Sequence, residues 1–113
     1  ADPKLAAYCA TTGAVHMITK AMAVDHGPEG IRVNAICPGY IDTPMLAQFF
    51  PDHVDENAAR AEAEHVHPLR TIGTPDDMAN LGFWLASDEA RYATGQLWVL
   101  DGGLSAQVQQ MRF

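Results

Sequence analysis

The chain has 113 residues, of which 48% are hydrophobic, and it carries a formal net charge of -7. This composition is too apolar for a disordered chain and fits one globular domain or part of one. The negative charge and the scattered lysines and arginines argue against nucleic acid and anionic membranes as partners, and no apolar run approaches the ~20 residues that a membrane span needs. Cys9 and Cys37 do not make a disulfide framework, so we expect reduced thiols and a cytoplasmic protein.

The first predicted element is a helix from about residue 3 to residue 26. Apolar side chains recur there at helical spacing, and this stripe predicts the buried face. Its members are Ala10, Ala14, Met17, Ile18 and Ala21. The opposite face carries Tyr8, Thr12, His16 and Thr19. The Gly-Pro-Glu-Gly sequence at residues 27–30 is expected to end the helix, because glycine accepts a left-handed cap and proline cannot continue the hydrogen-bond ladder.

A short strand and a helix start follow. Residues 31–37 are mostly apolar and β-branched, which predicts a strand buried on both faces. Pro38 and Gly39 break this strand. Thr43 followed by Pro44 then offers a helix cap with proline at the first helical position.

The second half of the chain continues the alternation. Residues 55–65 are rich in Ala and Glu and predict a helix. Residues 74–77 form a second helix start, with acidic side chains at the positive end of the helix dipole, and this helix ends near Ser87. Its predicted inward side chains are Met78, Leu81, Gly82, Trp84 and Leu85. Residues 96–100 predict a second strand, and the tail from residue 104 onward has no strong pattern.

Alternating helices and strands predict an α/β fold with a parallel sheet covered on both faces. The long connection between the two strands is expected to be a right-handed crossover. Two strands alone leave open edges, so we expect further strands from residues outside this sequence or from a partner chain.

Several segments, taken together, resemble the short-chain dehydrogenase/reductase family. Tyr8 and the residues after it resemble the active-site helix, whose motif is Tyr, three residues and Lys. Residues 34–43 resemble the strand and Pro-Gly loop that lie beside the nicotinamide in this family. Residues 68–75, 85–87 and 94–103 resemble the C-terminal signature, and the order and spacing agree along nearly the whole chain.

The resemblance implies that residues 1–113 are the C-terminal half of one doubly wound, Rossmann-like domain. The Gly-rich turn that binds the dinucleotide phosphates in the N-terminal half has no equivalent here. The family's catalytic Ser would lie just before the first residue. The implied function is hydride transfer between NAD or NADP and a small carbonyl or alcohol substrate, in a homo-oligomer such as a dimer or tetramer. Trp84, Trp98 and the tail are expected at its interfaces.

The resemblance assigns Tyr8 as the catalytic acid/base. A phenol titrates near pH ~10, and a base must ionise nearer neutrality. In the family, a Lys one helical turn on assists this ionisation and also holds the nicotinamide ribose. Thr12 occupies that position here and carries no charge. We therefore expect a weakened cofactor site and a loss of ~10²-fold or more in turnover.

The resemblance also places four residues beside the cofactor. Pro38 and Gly39 end a strand at its carboxyl edge, where open parallel sheets bind ligands. The Ile41 backbone and the Thr43 hydroxyl are implied near the nicotinamide carboxamide. A plain helix cap is an equally weighted interpretation of Thr43. Residues 45–50 would be a substrate lid or an ordinary amphipathic helix.

Three histidines raise the question of a metal site, which we do not predict. They are His53, His65 and His67. The last two are two residues apart, which does not place them on one helix face, and a solvated polar surface is the favoured interpretation.

One alternative function is left open by the sequence. The chain is then a catalytically silent fragment or subunit that retains the family's oligomer contacts. Thr12 and the missing half favour it, unless Thr12 is an erroneous residue in a normal enzyme.

Overall fold

The computed structural model describes residues 4–108 and contains two strands and four helices in that range. They are α1 (Ala6–His26), β1 (Ala35–Pro38), α2 (Pro44–Ala47), α3 (Glu56–Val66), α4 (Pro75–Ala86) and β2 (Leu97–Leu100). Three short 3₁₀ turns lie at Gly27–Glu29, Asp88–Ala90 and Leu104–Ala106. The order of elements agrees with the sequence prediction, and the end of the tail lies outside the described residues.

The chain divides into two compact units. Among the described residues, the first combines residues 4–36 with residues 82–98, and the second combines residues 37–81 with residues 99–108. Each strand begins in the first unit and ends in the second.

The two strands pair directly and run in parallel. In the first unit, the Ala35 amide donates to the Gln96 carbonyl at 3.0 Å. In the second, the Gly39 amide donates to the Leu100 carbonyl at the same distance. The paired residue numbers rise together along both strands, as parallel pairing requires. This sheet agrees with the predicted α/β class.

The first strand is shorter than predicted and only half-buried. Its predicted beginning at residue 31 is wrong, because the backbone there bonds outside the strand ladder. The Val33 amide donates to the Thr94 hydroxyl at 3.0 Å, and the Val33 carbonyl accepts from the Gly95 amide at 2.6 Å. The strand therefore begins at Ala35, four residues after the predicted beginning.

Asn34 fixes the start of β1 with both ends of its side-chain amide. Its Nδ2 donates to the Ala93 carbonyl at 2.8 Å, and its Oδ1 accepts from the Trp98 indole at 3.0 Å. The Trp98 ring meets Trp84 edge to face at a centroid distance of 5.4 Å, a favourable aromatic geometry. These contacts tie β1, β2 and α4 together within the first unit.

The predicted buried face of α1 is wrong. Met17 and Ile18 belong to the predicted buried stripe, but 65% and 55% of their surfaces are exposed. The buried residues are Thr19 and Ala23, from the side predicted to be polar and its continuation. The Thr19 hydroxyl donates to the Val15 carbonyl at 2.7 Å, so it can be buried with its donor satisfied. Small side chains on this face allow close packing.

The two predicted helix starts in the second half use different capping groups. The Asp55 carboxylate accepts from the Ala58 amide at the start of α3. At α4, the Thr74 hydroxyl accepts from the Asp77 amide at 3.3 Å, and the Asp77 carboxylate accepts from the Thr74 amide at 2.8 Å. This reciprocal pattern is a capping box, which satisfies two backbone donors at once. No helix among residues 4–108 is long and apolar enough to cross a membrane.

Candidate functional site

The second unit contains the carboxyl ends of both strands. Pro38 ends β1, and Asp101 follows the last residue of β2. Gly39 lies so close to this second strand end that an added Cβ would stand 2.9 Å from the Asp101 Cα. Only glycine fits this close approach without a shift of the backbone. The Pro-Gly sequence therefore turns the chain out of the sheet at the edge where parallel sheets bind ligands.

Residues 40–43 form a loop that pairs with the segment before α4. The Gly73 amide donates to the Tyr40 carbonyl at 2.9 Å, and the Asp42 amide donates to the Gly73 carbonyl at 2.8 Å. These bonds form a parallel bridge between Ile41 and Gly73. Because the bridge uses the groups that flank Ile41, its own N–H and C=O are directed away from Gly73.

Thr43 occupies the N-cap position of α2, but its side chain makes no capping hydrogen bond. The turn is closed instead by the backbone, with the Leu46 amide donating to the Thr43 carbonyl at 3.0 Å. The residue is half-buried. The capping interpretation of its hydroxyl is therefore wrong, because the backbone and Pro44 form this helix start without it.

A bidentate ion pair joins this loop to α3. Arg60 donates through Nη1 and Nη2 to the two carboxylate oxygens of Asp42, at 3.1 and 2.5 Å. The hydrogen bonds from Arg60 lower the pKa of the Asp42 carboxyl below its ordinary value, and the same contact raises the pKa of Arg60. Both side chains are about half exposed, so solvent screens this attraction.

His67 is buried beside the loop, although the sequence favoured a solvated position. It is 1% exposed, its Nδ1 lies 2.7 Å from the Ala63 carbonyl, and its ring meets Tyr40 edge to face at 5.3 Å. Gly102 takes a left-handed backbone conformation (φ +60°) and packs against the same ring. The contact is tertiary, so helical spacing could not reveal it. Residues 4–108 contain no cluster of potential ligands for a metal ion.

Tyr8 and Thr12 lie one turn apart on α1, in the first unit. Tyr8 is half exposed, with 51% of its surface accessible, and Thr12 is partly buried. The neighbouring Thr11 hydroxyl donates to the Tyr8 carbonyl at 2.8 Å. Pro38, Gly39, Ile41 and Thr43 follow one another along the chain and all lie in the second unit.

Arg60 shapes the loop and Asn34 shapes the strand, and neither role was predicted from the sequence. Arg60 contacts Asp42 across 18 positions, and Asn34 contacts Trp98 across 64. Neither separation follows a helix or strand period, so no local pattern marks these pairs. Asn34 did fall within the segment that resembles the family, and that was the one available signal.

Comparison with known proteins decides the family. A family model described as enoyl-(acyl carrier protein) reductase matches residues 1–105. A solved short chain dehydrogenase family protein from Francisella tularensis superimposes with a TM-score of 0.89 at 34% identity. This match covers 95% of the present chain and 46% of the other.

The chain belongs to the short-chain dehydrogenase/reductase family.

Further relatives of this short-chain dehydrogenase/reductase chain are named dehydrogenases. The 3beta-hydroxysteroid dehydrogenase 1 of Eggerthella lenta is 43% identical over 103 residues, which are 91% of this chain and 38% of the relative. The structure of a 4-hydroxyisoleucine dehydrogenase complexed with NADH has a TM-score of 0.83 at 37% identity, covering 96% of this chain and 43% of the other. The chain thus spans less than half the length of the relatives it matches.

Proposed function

We propose that this chain is the C-terminal half of an NAD- or NADP-dependent oxidoreductase acting on a small carbonyl or alcohol substrate. Its family membership and the dehydrogenase names of its relatives support this proposal. One similar structure is described as complexed with NADH, which supports a nicotinamide cofactor. Neither Cys9 nor Cys37 is in a disulfide, which fits our expectation of a cytoplasmic protein.

The geometry of the loop that follows the end of β1 is the main support for this proposal. Gly39 lets the backbone turn closely past Asp101, and the Ile41 N–H and C=O are directed away from the Gly73 bridge. The Thr43 side chain is not used as a helix cap. These groups fit a planar carboxamide, which needs both a donor and an acceptor. Ile41 and Thr43 would hold the nicotinamide end of the cofactor.

The cofactor supplies the hydride chemistry when it is bound, and the protein supplies orientation and a proton. Tyr8 would hold that proton at its phenolic oxygen. Thr12 lies one turn further along α1 and has no positive charge to stabilise a phenolate. This departure from the family motif predicts slow proton transfer and weak contact with the ribose.

A chimera tests the proposal directly. The N-terminal part of the Eggerthella lenta dehydrogenase would be joined to residues 1–113, and NADH and NADPH oxidation would be followed with a panel of ketones. We expect measurable but slow turnover, because Tyr8 lacks its ammonium partner. Thr12→Lys should raise kcat by about 10²-fold.

The matched control is Thr11→Lys, which adds the same charge one position earlier on α1. It should give a smaller gain, because positions 11 and 12 lie about 100° apart around the helix, so that the two ammonium groups would reach opposite sides of Tyr8. Equal effects of the two substitutions, or no turnover by the chimera and its Thr12→Lys variant, would contradict the catalytic assignment.

A second candidate is a catalytically silent assembly module, and a surface of α1 favours it. Met17, Ile18 and Val24 are each more than half exposed and lie on one side of α1, and exposed apolar patches of this kind mark interaction surfaces. Homo-oligomer packing through α1 would cover them. Native mass spectrometry that finds dimers or tetramers of a chimera without cofactor binding would support this second function over the first.

A further inference from the structure

Asp42 stands between the two residues that we propose hold the nicotinamide. Its backbone is fixed by the bond from its amide to the Gly73 carbonyl at 2.8 Å. Its carboxylate is engaged by Arg60 through both oxygens. The loop is therefore anchored on one side by the backbone and on the other by a charged side chain of α3.

The helix that carries Arg60 also packs on the segment after the loop. Ala63 of α3 is buried in a cluster with Leu46 of α2 and Ile72. The Arg60 Nε lies 3.8 Å from the Glu64 carboxylate, which gives the guanidinium a second and longer ionic contact. A movement of α3 would therefore act on both α2 and Asp42.

We propose that Arg60 is a positioning residue that sets the geometry of Ile41 and Thr43 through Asp42. This inference rests on the proposed function, because it takes these two residues to be the nicotinamide contacts. A bidentate guanidinium fixes orientation as well as distance, which a single charge contact does not. Because the pair is half exposed, solvent screens its attraction, and the contact links the helix after the predicted lid to the cofactor loop.

Amide hydrogen exchange on the chain itself tests the contact without any cofactor. Arg60→Met keeps most of the length and the apolar part of the side chain but removes the guanidinium group that binds Asp42. We expect the Asp42 and Leu46 amides to exchange about threefold faster at low ionic strength, in line with a half-exposed pair. The difference should disappear at ~1 M salt, which screens exposed charges.

Arg91→Met is the matched control, because it removes the same charge from an exposed position in the first unit. It should leave the Asp42 and Leu46 amides unchanged. The double variant D42R/R60D, in which the two charged side chains are swapped, should restore part of the protection of these backbone amides against hydrogen exchange. Unchanged exchange in Arg60→Met, an equal increase at every amide, or no restoration by the double variant would overturn the ion-pair role.

A kinetic measurement on the chimera separates this inference from the proposed function. Arg60→Met should raise the KM for the nicotinamide cofactor severalfold and change kcat less, since Arg60 contacts neither Tyr8 nor the reacting atoms in this proposal. An unchanged KM in an active chimera would refute the positioning role alone. A chimera that binds no cofactor would instead refute the proposed function, whatever the exchange rates of the Asp42 loop.

Discussion

Gly39 and Gly13 differ in how much space their surroundings leave for a side chain. An added Cβ at Gly39 would meet the Asp101 backbone at 2.9 Å, whereas at Gly13 it would meet nothing within 4 Å. We expect Gly39→Ala to destabilise the protein by about 1–3 kcal/mol, because the backbone must shift to relieve the overlap. Gly13→Ala should instead stabilise it by about 0.5–1 kcal/mol, since alanine is the better residue inside a helix.

Urea unfolding followed by circular dichroism measures both glycine variants. Gly13→Ala serves as the control for Gly39→Ala, because both variants add the same methyl group. If Gly39→Ala unfolded at the wild-type urea concentration, the close approach of the two strand ends would not constrain this position.

The starts of α2 and α4 both place a threonine before a proline, yet only one threonine caps its helix. The Thr74 hydroxyl accepts from the Asp77 amide and also donates to the Asp77 carboxylate at 2.9 Å. The Thr43 side chain makes no capping bond. We expect Thr74→Ala to lower the free energy of unfolding by about 1 kcal/mol, the usual value of an N-cap.

Thr43→Ala should change that free energy by less than about 0.5 kcal/mol, because the half-buried Thr43 side chain makes no capping hydrogen bond. Denaturant titration of the two variants side by side gives the comparison. In the cofactor-binding chimera, Thr43→Ala should nevertheless weaken NADH binding. An equal loss of stability in both variants would show that Thr43 caps α2 after all.

Local chemistry explains why the starts of α2, α3 and α4 and the end of β1 could be predicted from the sequence. A cap, a proline at the first helical position or a glycine after a strand acts within a few residues, so Thr74 and Gly39 indicate their own positions. The buried face of α1 could not be predicted in this way. Both of its sides carry apolar or small residues, and periodicity alone does not say which side another element covers.

At the scale of the whole molecule, the family and the order of elements followed from the sequence, but the side-chain contacts of the loop did not. Residues 34–43 and 94–103 carried the resemblance because they lie at strand ends, where the backbone dictates residue type. The Asp42–Arg60 pair and the burial of His67 depend on where α3 lies, which no local pattern encodes. Tyr8 and the cofactor loop belong to different units, so their cooperation remains a prediction.

The pH dependence of stability depends on three aspartates of the second unit. The pKa of Asp42 is lowered by hydrogen bonds from Arg60, and that of Asp77 by the amide and hydroxyl of Thr74. The pKa of Asp101 is lowered mainly by hydrogen bonds from Ser105. The hydrogen-bond donors that lower these three pKa values differ from one carboxylate to the next.

Because the folded-state pKa of each aspartate lies below the ordinary value of ~3.9, the unfolded chain binds more protons between the two values. The stabilisation is therefore complete above about pH 5 and is lost as the pH falls through the folded pKa values. We expect the Asp42→Asn, Asp77→Asn and Asp101→Asn variants to be less stable than wild type at pH 7. Each should also lose less stability below pH ~4, since asparagine does not titrate. Urea unfolding from pH 7 to pH 2.5, followed by NMR signals of the second unit, measures these slopes. A variant whose stability falls as steeply as that of wild type would show that its carboxylate does not contribute to acid unfolding.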